Sequence, residues 1–187
     1  MVNLFLGNDR FIMKINKRNL RILFDKVTIE KRVEEMAIEL SNKFENKKPI
    51  FIGVLNGSFI FASDLLRNLS INCEIDFIKL SSYKGQNTTG TVRLLKDISA
   101  DITNRDVIIV EDIIDSGLTI EFLVKRLKGA SPRSITIVTL LFKPDIAKIS
   151  LPIDIIGFEI APHFVVGYGL DYDQNYRHLP EIYRLEK

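Results

Sequence analysis

Three short apolar runs punctuate the chain: Pro49-Ile-Phe-Ile-Gly-Val-Leu55, Val107-Ile-Ile-Val110 and Ile135 to Phe142. Each is rich in branched side chains and reads as a strand buried on both faces. The stretches between them change period. Thr28 to Phe44 places Val33, Met36, Ala37 and Leu40 on one helical stripe, with Thr28 as a candidate cap and Glu30 in the first turn. Phe59 to Leu69 and the residues from Ile120 to Leu127 read as further helices, and Glu74 to Leu80 alternates as a strand. Such strand–helix alternation predicts an α/β fold, with a mostly parallel sheet flanked by helices on both faces. Ser81 to Thr91 is polar, holds two glycines and reads as a mobile loop, and Arg93 to Asp106 reads as a connection. Ile153 to Ile160 and Phe164 to Leu170 are two more strand-like runs, split by Ala-Pro-His. The first and last segments break the rhythm and are expected to join as a small cap.

Composition narrows the class. A chain of 187 residues is one domain's worth, with 46% hydrophobic and 27% charged residues. A core of about 28–145 and a cap from 1–27 and 146–187 are the expected divisions. Twenty-six basic against 24 acidic residues leave a net charge of +2, which argues against a general nucleic-acid binder. No apolar run reaches membrane-spanning length, and no secretory signal opens the chain. The basic, acid-poor stretch Arg10 to Arg21 lacks the serines of an organelle transit peptide and reads as a peripheral arm. The single cysteine, Cys73, sits in the run Ile71-Asn-Cys-Glu-Ile75, flanked by isoleucines, and reads as buried filler rather than a catalytic thiol. A reducing, cytoplasmic setting is expected.

The chemistry concentrates after the second apolar run. Val107 to Val110 leads into Glu111-Asp112, then Ile113-Ile114, then Asp115-Ser116-Gly117-Leu118-Thr119 and a helix. Three carboxylates and a small hydroxyl-bearing turn therefore stand between a strand and a helix N-terminus, where open α/β sheets bind ligands and where backbone N–H groups favour phosphate. Other motifs fall away. Gly85 to Thr91 has the spacing of a Walker-type phosphate loop but no lysine, and Gly167-Tyr-Gly169 is a fragment of a dinucleotide fingerprint. His163 and His178 lack metal-ligand partners at the right spacing, and no Ser-His-Asp grouping is readable.

The segment from Val107 to Thr119 closely resembles the signature of phosphoribosyltransferases, which act on 5-phosphoribosyl-1-pyrophosphate. Four more segments, in order from about Ile50 to Leu185, are similar to the 6-oxopurine (hypoxanthine–guanine) members. The resemblance implies the type I phosphoribosyltransferase fold and transfer of the phosphoribosyl group to hypoxanthine or guanine, giving IMP or GMP plus pyrophosphate. It gives Asp115 the role of general base, and Glu111 and Asp112 the ribose hydroxyls and a magnesium ion. Ser116, Gly117, Leu118 and Thr119 would wrap the 5′-phosphate; some relatives carry lysine at Leu118, but a backbone contact survives that change. Leu55, Asn56 and Gly57 match a pyrophosphate loop with a non-proline cis peptide at Leu55–Asn56, where several relatives place a basic residue at Asn56. Ser82-Tyr83 matches the pair in a closing catalytic loop. Lys143 would donate to the purine 6-oxo group, Phe164 would stack on the base and the Val165 backbone would meet its edge. Asp171 would support the metal and Arg177 would hold pyrophosphate. A homodimer or homotetramer is implied, with no nucleic acid and no membrane as partner. Two alternatives stand beside this: a catalytically inactive regulator of the same fold, and an enzyme preferring xanthine.

Overall fold

The computed structural model describes residues 14–15, 18–83 and 91–186. Its main sheet has six strands: β3 (Ile50–Leu55), β4 (Glu74–Tyr83), β5 (Thr91–Lys96), β6 (Asp106–Ile114), β7 (Ser134–Phe142) and β8 (Ile155–Glu159). Their spatial order is β5-β4-β3-β6-β7-β8, all parallel except the edge strand β5. Alternate strand residues face opposite ways. Phe51, Ile108 and Val110 pack with Leu40, Phe61 and Leu65 of helices α1 (Lys26–Lys43) and α2 (Phe59–Arg67). Ile52, Val107 and Ile109 pack with Leu123 and Leu127 of α3 (Leu118–Lys128) on the other face. Burial on both faces explains the uninterrupted apolar runs.

A second sheet orders β1 (Lys14–Ile15), β2 (Arg18–Phe24), β10 (Ile182–Leu185) and β9 (Val165–Val166) as β1-β2-β10-β9. The chain ends thus do pair with each other, around a small core of Ile15, Leu20, Val166 and Tyr183. Residues 1–13, which include part of the basic stretch, lie outside the described residues.

Several expectations need correction. The core does not stop at residue 145, because β8 extends the main parallel sheet beside β7. A Cβ on Gly157 would lie 2.5 Å from the Leu140 carbonyl, so glycine permits that close approach. Thr28 does not cap α1: Asp25 does, accepting from the Thr28 N–H at 2.8 Å. Thr91 to Lys96 is a strand rather than loop and connection, and Ser81 to Tyr83 continue β4. Of Phe164 to Leu170, only Val165 and Val166 pair as a strand. Gly167, Tyr168 and Gly169 turn away with φ of 96°, 50° and 96°. Cys73 is half-buried just before β4, and burial pushes its thiol up.

Candidate active site

β3 and β6 are neighbours, yet the chain leaves them in opposite directions. From β3 it passes through α2 to β4; from β6 it passes through α3 to β7 on the far side. The loops at their C-terminal ends part and open a crevice, the usual ligand position in open α/β sheets.

Glu111 and Asp112 do not stand at a solvated strand end. β6 runs on to Ile114, so both lie within the sheet, 7% and 8% exposed. Burial pushes the Glu111 carboxyl well above the usual range, and the adjacent Asp112 charge adds to it. Burial also pushes Asp112 up to about 6, against the pull of backbone N–H groups, Glu111 and the Arg177 charge. Glu111 Oε2 is buried and has no hydrogen-bond partner among the described residues. Adjacent buried carboxylates with an orphaned oxygen fit a cation, since burial without one is costly. Asp171 does not join them: among the described residues, no group of three metal-ligating side chains forms. Magnesium suits that sparse set, because it takes one or two carboxylates and fills its remaining positions with water and phosphate oxygens.

Asp115, Ser116 and Gly117 form the turn after β6. Gly117 has φ of 86°, a left-handed conformation that a side chain would strain. Helix α3 begins at Leu118, earlier than the apolar spacing suggests, so Leu118 and Thr119 form its first turn. The N–H groups there have no intrahelical acceptor. Lys143, directly after β7, donates its backbone N–H to the Ile114 carbonyl at 3.1 Å. Its Nζ lies 3.4 Å from Asp115 Oδ2, a buried ammonium (side chain 9% exposed) beside an open carboxylate (55%).

At the end of β3 the Leu55–Asn56 peptide is cis, at the position that the resemblance implied. Ser58 Oγ donates to the Val54 carbonyl at 2.7 Å and fixes the turn. A Cβ on Gly57 would fall 1.8 Å from Asp112 Oδ2, so this loop lies directly on the Asp112 carboxylate. A Cβ on Gly169 would fall 2.1 Å from the Gly57 carbonyl. Three layers therefore stack: the backbone after β9, the backbone of the loop after β3, and the Asp112 side chain of β6.

That upper segment carries the remaining predicted residues. Phe164 is 46% exposed and meets the Tyr172 ring edge-on, with centroids 5.6 Å apart at 87°. Val165 pairs opposite Arg184 in the second sheet. Arg177 Nη2 lies 2.8 Å from Asp171 Oδ1, and its Nη1 donates to the Gly169 carbonyl at 2.7 Å. The backbones of Ser82 and Tyr83 end β4 opposite Val92 and Thr91, while their side chains and residues 84–90 lie outside the described residues.

Sequence reasoning missed Asp64 and Tyr168. The Tyr168 hydroxyl donates to Asp64 Oδ2 on α2 at 2.8 Å, across 104 residues of chain. Gly167-Tyr-Gly169 was the available signal; it encodes a turn of positive φ rather than a nucleotide fingerprint.

This sheet, with acids and a small turn at its switch point, defines a phosphoribosyl transferase: residues 21–173 match the phosphoribosyl transferase domain, and the chain belongs to that family. Within it the chain is similar to the hypoxanthine phosphoribosyltransferase of Buchnera aphidicola, at 44% identity over 89% of this chain and 96% of that protein. It is also similar to the hypoxanthine-guanine phosphoribosyltransferase of Bacillus subtilis, at 43% identity over 87% and 91%. Among solved structures, a hypoxanthine-guanine phosphoribosyltransferase from Bacillus anthracis superposes with a TM-score of 0.85 at 43% identity, covering 89% of this chain and 98% of that one.

Proposed function

We propose that the protein transfers the phosphoribosyl group of phosphoribosyl pyrophosphate to hypoxanthine or guanine, giving IMP or GMP and pyrophosphate. The single observation that carries this reading is the Lys143–Asp115 pair, 3.4 Å apart at the ends of adjacent strands. A 6-oxopurine presents its oxo group next to N7, so one edge meets a cationic donor and a carboxylate side by side. An aminopurine offers an N–H donor where Lys143 needs an acceptor.

In the reaction the ribose C1′–pyrophosphate bond breaks and a C1′–nitrogen bond forms. The proton leaving the purine passes to Asp115. Positive charge develops at the ribose carbon, and the acids of β6 tolerate it. Glu111 and Asp112 would hold the ribose hydroxyls and a hydrated magnesium ion, while Asp171, set apart from them, would act through Arg177, which it holds at 2.8 Å. When bound, magnesium neutralises the leaving pyrophosphate. The first-turn N–H groups of α3 and the Thr119 hydroxyl hold the 5′-phosphate. Leu55, Asn56, Gly57 and Arg177 take the pyrophosphate, while Phe164 and the Val165 backbone take the base. Ser82 and Tyr83 belong to the segment that closes over the reacting centre and excludes water.

The subunits assemble as a homodimer or homotetramer in the cytoplasm. The reducing setting is supported by a lone cysteine. Among the described residues no helix is long and apolar enough to cross a membrane.

The test is to incubate the protein with phosphoribosyl pyrophosphate, magnesium and each base in turn, and to follow pyrophosphate release. Hypoxanthine and guanine should react and adenine should not. Silence with every 6-oxopurine would remove the catalytic reading, and turnover with xanthine alone would redirect it.

A further inference from the structure

The crevice has two walls that belong to distant parts of the chain. The loop at Leu55 to Gly57 is followed at once by Ser58 and helix α2. The segment after β9 supplies Asp171 and Arg177. These walls touch where Gly169 lies against the Gly57 carbonyl, a contact between backbones with no side chain between them. Such a contact resists compression but does not hold the walls together. Beside it, Tyr168 leaves the same turn and its hydroxyl reaches Asp64 at 2.8 Å on the second turn of α2. Tyr168 is 5% exposed and keeps a left-handed φ of 50° between two glycines of positive φ. A bulky residue holds that conformation only where its surroundings fix it. Burial and the Asp64 hydrogen bond also push the Tyr168 phenol far up, so it stays a donor at any working pH.

We propose that Tyr168 and Asp64 are a positioning pair that fixes the Arg177 side of the pyrophosphate site against the Leu55–Gly57 side. This rests on the reading of the crevice given under Proposed function. Neither residue is assigned a contact with substrate. Asp64 lines a cleft of about 490 Å³ between α1 and α2, together with Glu30, Glu34 and Arg67. Their bond acts through the two loops it joins. Its loss should let the loops drift apart, and the cost should fall on the group that both loops bind.

The test compares Tyr168→Phe, Asp64→Ala, Asp64→Asn and the double variant Tyr168→Phe/Asp64→Ala. KM is measured for phosphoribosyl pyrophosphate and hypoxanthine in the forward direction and for pyrophosphate in reverse, and phosphoribosyl pyrophosphate binding is measured by calorimetry with magnesium. Loss of one hydrogen bond should raise KM for phosphoribosyl pyrophosphate and for pyrophosphate roughly five- to tenfold in Tyr168→Phe and Asp64→Ala, with the calorimetric Kd following. KM for hypoxanthine should change less than about twofold, because Tyr172 and β10 hold Phe164 and Val165 independently. Asp64→Asn keeps an acceptor oxygen and should retain the parent's KM values. The double variant should be no worse than either single change, since both remove one bond. Additive losses, a fall in kcat with every KM unchanged, or an equal rise in KM for the purine would overturn the proposal. Thermal unfolding of each variant separates lost fold from lost register, and Asp64→Asn decides the matter if Asp64→Ala does not fold. An inactive parent protein would instead strike the proposed function, and the calorimetric comparison would still read the pair.

Discussion

At the scale of single residues, the site depends on pairs that face each other across strand ends. Asp115 is open to the crevice while its partner Lys143 is buried, an arrangement that suits a proton acceptor beside a fixed donor. Asp115→Asn keeps the shape and removes the proposed base. It should lower kcat by about a hundredfold or more while phosphoribosyl pyrophosphate binds nearly as before. Steady-state rates together with calorimetry read both quantities, and near-normal turnover would take the base role from Asp115. Residue identity was the most legible level of this chain. Glu111, Asp112 and Asp115 stand out from their spacing before a helix, because ordered acids, a glycine and hydroxyls there are rare by chance, whereas Lys143 and Arg177 came only from the family resemblance. The Tyr168–Asp64 bond was not legible. Its partners are 104 positions apart, and topology rather than pattern brings them together.

At the scale of elements, β6 does two things that conflict. It is a central strand, buried on both faces, and it carries two carboxylates within that burial. Burial in the folded chain pushes the Asp112 carboxyl above its ordinary range, up to about 6. The folded state therefore binds the extra proton, so stability falls as pH rises through the window from about 4 to 6. Asp112→Asn should raise the melting temperature at pH 7 to 8 without added ligand, weaken its pH dependence while buried Glu111 keeps part of it, and abolish turnover. An unchanged melting curve across that range would contradict the burial argument. The conflict also explains where pattern reading failed. Charged residues suggested that the strand had ended, whereas pairing with β7 carries β6 to Ile114. The reverse error came at β5, where Thr91-Val-Arg-Leu-Leu-Lys96 is an antiparallel edge strand. Its identity comes from pairing with β4, and only one side of it has a neighbour, so no continuous apolar run marks it.

At the scale of the whole molecule, two sheets share one site. The six-stranded sheet carries the acids and the turn proposed for the phosphate, and the four-stranded sheet of the chain termini carries Val165, proposed to meet the base. β10 is the bridge, since it pairs β2 on one side and β9 on the other, with Ile182 and Tyr183 buried. Ending the chain after Glu181 should leave the main sheet folded but release β9, so far-ultraviolet circular dichroism should stay near that of the parent while turnover with hypoxanthine is lost. Retained turnover would show that β9 holds its place without β10. The alternation of strands and helices made the large sheet legible, but the small one contains strands of two residues that only its partners define. The ion pairs have one more effect, on how fast a substrate arrives. Lys143 is held by Asp115 and Arg177 by Asp171, so these four side chains carry no net charge between them. Long-range attraction of an anion needs unbalanced positive charge, and this cluster supplies none. The association rate of phosphoribosyl pyrophosphate at saturating magnesium should therefore change little with ionic strength. Stopped-flow traces from about 20 to 300 mM salt, spanning the range over which screening shortens several-fold, would measure this, and a steep decline would point to cations elsewhere on the molecule.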